Sequence, residues 1–281
     1  MSSLRDINSY TEEEFLKKYD PNEFEKMSLS VDVVVFSIDT EKQIENYRKL
    51  DEEKLTILLV KRNENPFIKK WSLPGGFVGI KETLDDTVKR VLANKLHMEN
   101  IYLEQLYTFS EIDRDPRMRI VSASYLSLID RSKYEIRTSD AISEYAWFEI
   151  ELLEKEKILK LSKKDESIAI PIKIDSVQNG KINTLAYNVL DKNQLAFDHG
   201  KIILEALMRL RGKIEYTDIV FNLLPDKFSI SSLQRIYEMI LGKKLLQAAF
   251  RRKMANRIVE SGEYNKDKGH RPSQFFMFRK E

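Results

Sequence analysis

Trp71-Ser-Leu-Pro-Gly-Gly-Phe77 is a Gly-Gly turn that runs almost directly into an amphipathic segment at 83–96. There Leu84, Val88, Val91, Leu92 and Leu96 recur at helical spacing, which predicts a helix burying one stripe. Upstream, VDVVVFSI at 31–38 and LTILLV at 55–60 are β-branched, apolar runs of strand length. The charged residues between them, 39–54, read as an insertion in a long hairpin loop. Downstream, 101–109, 119–128 and 145–148 read as further strands and 150–157 as a short charged helix. Strands on both sides of a turn and a helix predict a mixed α/β/α sandwich.

Outside this block the pattern changes twice. Residues 1–27 form an N-terminal extension in which Tyr10, Phe15, Leu16 and Tyr19 have helix-compatible spacing before a break at Pro21. Residues 163–195 are polar and weakly periodic with a turn at Asn179-Gly180, which reads as a linker or small hairpin after a domain spanning 28–162. From 196 to 281 helical stripes take over: Ile202, Ile203, Ala206, Leu207 and Leu210, then Leu233, Ile236, Tyr237, Ile240 and Leu241, broken by Gly242. A helix at about 244–259 and an alternating FFMF ending follow. Helix, Gly-containing turn, helix and hairpin is the order of a winged helix-turn-helix.

Composition limits the function classes. At 281 residues two domains are the default, 33% charge is a globular balance, and no apolar run reaches membrane-spanning length. With no cysteine there are no disulfides or thiolate metal sites, and a cytoplasmic setting is expected. The net charge of +2 conceals an asymmetry. Residues 196–281 carry 17 Lys and Arg against 10 Asp and Glu, the remainder 30 against 35, so the C-terminal part is the one suited to a polyanion.

The turn and helix resemble the Nudix family, whose box reads G-x5-E-x7-R-E-U-x-E-E-x-G-U, with U a bulky aliphatic residue. Gly76, Glu82 and Arg90 match it, as do Leu92 and Met98 at aliphatic positions. The three helix glutamates, however, fall on Val91, Asn94 and Lys95, and the last glycine on His97. In active relatives those carboxylates gather divalent cations around a diphosphate; here Glu82 and Arg90 are vestiges, no metal is expected, and Mg2+-dependent hydrolysis is not. Glu82, Asp85 and Asp86 fit the start of a helix, where acids favour the positive end of the dipole. Arg114-Asp115-Pro116-Arg117 resembles the R-D-P-R loop of the ADP-ribose-binding branch. The resemblance implies a ligand cleft lined by Arg62, Trp71, Gly75, Gly76, Arg114, Asp115 and Arg117, since guanidinium forks suit phosphate and ribose oxygens.

From 195 to 278, LAFDHGKIILEALMRLRGKIEYTDIVFNLLP, FSISSLQRIYEMILGKKL, FRRKM and GHRPSQFFMF are similar to Nudix-related transcriptional regulators of NAD metabolism, which join an inactive Nudix domain to a winged helix. Leu246, Phe250, Met254 and Ile258 recur every four residues and are expected to pack the second helix. Lys244, Gln247, Arg251, Arg252 and Lys253 would then face DNA, and Lys266, Lys268, His270 and Arg271 would touch it from the wing. The reading is a homodimeric regulator on an approximately palindromic operator, with ADP-ribose or a related NAD-derived metabolite as effector. Two alternatives stay open: an ADP-ribose diphosphatase with a rearranged metal site, and a regulator that senses a sugar-pathway metabolite.

Overall fold

A computed structural model describes residues 10–23, 25–41, 52–134, 136, 142–191, 193–265 and 273–279. Helix α1 (Glu12–Lys18) begins at a capping box in which Thr11 and Glu14 satisfy each other's backbone N–H groups. The strands that follow are β1 (Ser28–Glu41), β2 (Glu52–Arg62), β3 (Trp71–Ser72) and β4 (Gly75–Phe77). Then come α2 (Leu84–Leu96), β5 (Tyr102–Phe109), β6 (Ile120–Ile129), β7 (Ile142–Leu153), β8 (Ile158–Lys163), β9 (Glu166–Asn179) and β10 (Ile182–Val189). The C-terminal elements are α3 (His199–Lys213), β11 (Phe228–Ser229), α4 (Ile230–Leu241), α5 (Gln247–Met254), β12 (Ile258–Asn265) and β13 (Ser273–Phe278).

The N-terminal strands make one mixed sheet in the order β10-β9-β8-β7-β2-β1-β6-β5, with β3 beside β2 and β4 beside β1. Strand β1 runs parallel to β6 and antiparallel to β2, and it is buried on both faces, as its continuous β-branched run requires. Val31, Val33 and Val35 meet Val88, Val91 and Leu92 of α2 on one face. On the other face Val34 and Phe36 join a core that continues through Ile202, Ile203 and Leu207 of α3 into Leu233, Ile236 and Phe250 of the C-terminal helices. The chain's two halves therefore share one apolar core. Among the described residues, no helix is long and apolar enough to cross a membrane.

Four expectations need correction. Residues 150–157 are the end of β7 and a turn, because Ile150 and Leu152 pair with Leu161 and Leu159 of β8. Residues 163–195 hold the hairpin expected at Asn179-Gly180, but it is no separate unit: β9 and β10 pair over eight residues around that turn and extend the sheet. The helix expected at 244–259 stops at Met254, and Ile258 opens the first wing strand. Of the insertion expected at 39–54, residues 39–41 and 52–54 are strand instead, pairing across β1 and β2 as far as Glu41 with Glu52, and 42–51 lie outside the described residues.

Candidate ligand cleft and nucleic-acid interface

The acids around the box helix are engaged by its own contacts. Arg90 donates from Nε and Nη2 to both Glu82 oxygens, at 2.6 and 2.8 Å, and the Gly79 N–H and the Thr87 hydroxyl donate to the same carboxylate. Those hydrogen bonds, Arg90 first, hold the Glu82 pKa down at about 2. Asp85 accepts from Tyr125 and Asp86 caps the helix through Thr83, so each acid near the helix start has a structural partner. Val91 is buried, and a Cβ added at Gly76 would sit 3.0 Å from it. Among the described residues no three His, Asp or Glu side chains gather as metal ligands would. With Val91, Asn94 and Lys95 in place of three carboxylates, the donor set does not fit the family's magnesium cluster.

A cleft of about 240 Å³ opens beside this helix. Arg62, Gly75, Gly76, Arg114, Asp115 and Arg117, all expected in a ligand site, line it. Trp71 does not. It pairs with Lys61 across β3 and β2, is 3% exposed, donates to Glu166 at 2.8 Å and packs edge-on against Phe148, so it belongs to the core. Gly75 is required by close approach: a Cβ there would lie 2.4 Å from Asp32 Oδ1.

The two outer arginines flank one aromatic ring. The guanidinium carbons of Arg62 and Arg117 lie 4.9 and 5.7 Å from the Phe197 centroid, and Arg117 is also 5.1 Å from Phe77. Arg62 donates to the Pro66 carbonyl and Arg117 to Asp115. Burial, and then the positive charge of Arg117, lowers the Arg62 pKa below its ordinary value. Two cations held this way in a concave site attract an anion.

Arg114 is differently employed. It is 5% exposed and donates to both oxygens of Asp198, from Nε at 3.0 Å and from Nη2 at 2.7 Å, with Asp32 at 3.4 Å. Its fork is thus spent on the residue before α3 rather than offered to a ligand. Beside it, the Leu73 N–H donates to His199 Nδ1 at 2.8 Å, and His199 Nε2 faces Asp32 Oδ1 at 3.5 Å. Burial pushes the Asp32 pKa up, but His199, Arg114 and the Ser122 hydroxyl outweigh it and bring it to about 2.

Phe197, Asp198 and His199, consecutive residues where the chain enters α3, are therefore all engaged by the cleft. Sequence reasoning missed them together with Asp32. The available signal was Asp32 itself, a lone acid in a buried β-branched run, since a buried charge needs a partner.

In the C-terminal part, Ser229 caps α4 and Gly242 ends it with φ 67°, a left-handed turn that glycine adopts without strain. Glu238 of α4 then accepts from the Leu245 N–H and from Lys244 Nζ, both at 2.9 Å, while Gln234 donates to the Leu245 carbonyl. Gln234 also donates to Glu238 at 3.0 Å, and that bond first, then those from Leu245 and Lys244, hold the Glu238 pKa at about 2. Phe250 and Met254 bury one face of α5, as expected, but Leu246 is 81% exposed at the N-cap. Gln247, Arg251, Arg252 and Lys253 are exposed; Lys253 leans to within 5.6 Å of the Tyr237 ring. The rotation of 100° per residue places Arg252 opposite the core, Ala248 beside it and Arg251 on one flank. Lys266, Lys268, His270 and Arg271 lie outside the described residues.

A NUDIX domain family model matches residues 47–168, and a model described as the NrtR DNA-binding winged helix domain matches 220–278. The chain is 31% identical over 279 residues to the ADPR responsive transcriptional repressor NtrR of Acinetobacter baylyi, an alignment covering 98% of this chain and 91% of the relative. The chain belongs to the NrtR family. Among solved structures, a MutT/nudix family protein from Enterococcus faecalis shares 29% identity at TM-score 0.71, covering 96% of this chain and 94% of that one. Shewanella oneidensis NrtR complexed with a 27mer DNA shares 26% identity at TM-score 0.62, covering 89% and 93%. This NrtR family member thus couples a Nudix fold to a DNA-binding winged helix, and α3 lies between the two matched segments, packed on both.

Proposed function

We propose that this NrtR family chain is a transcriptional repressor whose Nudix domain binds ADP-ribose, or a diphosphate nucleotide of that class, without hydrolysing it. The observation that carries the reading is the pair Arg62 and Arg117, two cations set around Phe197 at the mouth of a cleft whose floor holds the entry to α3. A diphosphate drawing those guanidiniums outward changes the surroundings of Phe197, and with it the seat of Asp198 and His199. Because α3 packs on α4, which fixes α5 through Glu238 and Gln234, that displacement reaches the DNA-facing helix. The effector acts by binding one arrangement of the two halves better than the other. A homodimer would place two such helices on the half-sites of an approximately palindromic operator.

The test is to titrate ADP-ribose into the full chain bound to the duplex upstream of its own gene. A severalfold change in operator affinity is expected, together with intact ADP-ribose after incubation with Mg2+. AMP released at enzymatic rates would instead favour the diphosphatase reading, and an unchanged affinity would remove the effector. A sugar phosphate that shifts affinity where ADP-ribose does not would reassign the cleft.

A further inference from the structure

The N-cap of α5 departs from its counterparts. Helices α1, α2 and α4 follow Thr11, Thr83 and Ser229, each accepting a backbone N–H through its side chain, and the uncapping Asp198 before α3 is held instead by Arg114. Before α5 stands Leu246, which has extended backbone angles, makes no side-chain cap and is 81% exposed. Leucine is among the poorest N-cap residues. A single exposed leucine is ordinary on a protein surface. Here, however, Ala248 and Ala249 on the same turn are exposed as well, giving an apolar tip to a helix whose later turn carries Arg251, Arg252 and Lys253.

That tip is also rigidly delivered. Lys244 and Leu245 are tied to Glu238 and Gln234 of α4, and the Phe250 N–H closes the first helical turn on the Leu246 carbonyl at 2.9 Å. A local rule broken at a fixed, exposed position points to function. In helix-turn-helix proteins the N-terminal residues of the second helix meet base edges, and the one apolar group on a major-groove edge is the thymine methyl.

We infer that Leu246, with Ala249 beside it, reads thymine methyl groups in the operator, making this apolar tip a sequence-specificity element distinct from the arginines. The inference rests on the DNA-binding reading above. Arg252 and Arg251 supply hydrogen bonds and charge, while Leu246 selects thymine over cytosine at one step of each half-site. The alanines keep the helix slim enough for the methyl to reach it.

The experiment compares the full-length chain and Leu246→Ala on the operator from its own promoter. It is run on the natural duplex and on duplexes in which single thymines are replaced by deoxyuridine, a change that removes only the methyl. The parent should lose about fourfold in affinity at one thymine of each half-site, the scale of one buried methyl. Leu246→Ala should bind the natural duplex more weakly by a similar factor and be indifferent to uracil at that same step. Its thermal midpoint should match the parent, since the side chain is exposed. Equal uracil sensitivity in parent and variant at every thymine, or none in either, overturns the assignment while leaving DNA binding intact. A parent that binds no promoter duplex at all refutes the repressor reading itself.

Discussion

Two sets of cations in the C-terminal half have opposite employment. Along the junction, Lys201, Lys213, Arg211 and Arg235 each face an acid of the Nudix domain: Glu111, Glu104, Glu154 and Glu53 respectively. Arg235 is the best placed, with Nε and Nη2 at 2.6 and 2.9 Å from a Glu53 side chain that is only 5% exposed. On α5, Arg252 is exposed opposite the buried face of the helix and Arg251 is exposed on its flank. The positive balance that pointed to nucleic acid is thus partly an internal matter: acidic sheet domain and basic helical domain neutralise each other where they touch. Arg251 and Arg252 of α5, by contrast, face no acid of the Nudix domain in the described contacts.

Breaking the junction's buried pair should give the largest effect. Arg114→Ala leaves Asp32 and Asp198 buried without their cation, a loss of about 3–5 kcal/mol of stability readable by urea denaturation. Acid should act on the same place. The Asp32 pKa is held below its ordinary value, so its contribution is fully present above about pH 4. It is lost as the pH falls from there towards 2, roughly 2 kcal/mol in a pH series of thermal midpoints. On the other side of the comparison, Arg252→Ala should weaken operator binding by about 1–3 kcal/mol and leave the denaturation midpoint unchanged. Smallest of all, Lys201→Ala removes a half-exposed pair. Less than about 1 kcal/mol of stability should go, screened by salt, with operator affinity nearly unaffected. If Lys201→Ala weakened DNA binding as much as Arg252→Ala, the division into two groups would fail.

How much of this was legible follows from what the residues answer to. β1, α2 and α4 read correctly because burial alone sets their periodicity, and Gly242 ended α4 where a left-handed residue was needed. β9 and β10 read as a small hairpin turning at Asn179-Gly180 but not as part of the sheet: exposed residues such as Val177, Ile182 and Leu185 at the sheet's end blur the alternation that marks a strand. Residues 150–157 were misread because a charged turn between β7 and β8 imitates a short polar helix. The cleft was legible as arginines but not as a junction. Arg62, Arg114 and Arg117 look alike in sequence, and only the fold gives Arg114 to Asp198. Trp71 looked like part of the cleft because it adjoins Gly75 and Gly76, yet the strand pairing turns it inward. Asp198 and Leu246 both stand at helix starts where a cap was due, and neither caps; the partner of the first is 84 residues away in sequence.

In the proposed switch the ligand cleft and α5 are joined through the entry to α3. Asp198→Asn tests it most directly: the change keeps the side chain's shape, lies outside the cleft lining and removes the charge that Arg114 grips. Operator affinity would be measured for parent and variant with and without saturating ADP-ribose, alongside ADP-ribose binding by calorimetry. The account predicts that the variant binds ADP-ribose within about threefold of the parent, while the ligand's effect on operator affinity largely disappears. A variant whose operator affinity responds to ADP-ribose as fully as the parent's would contradict it.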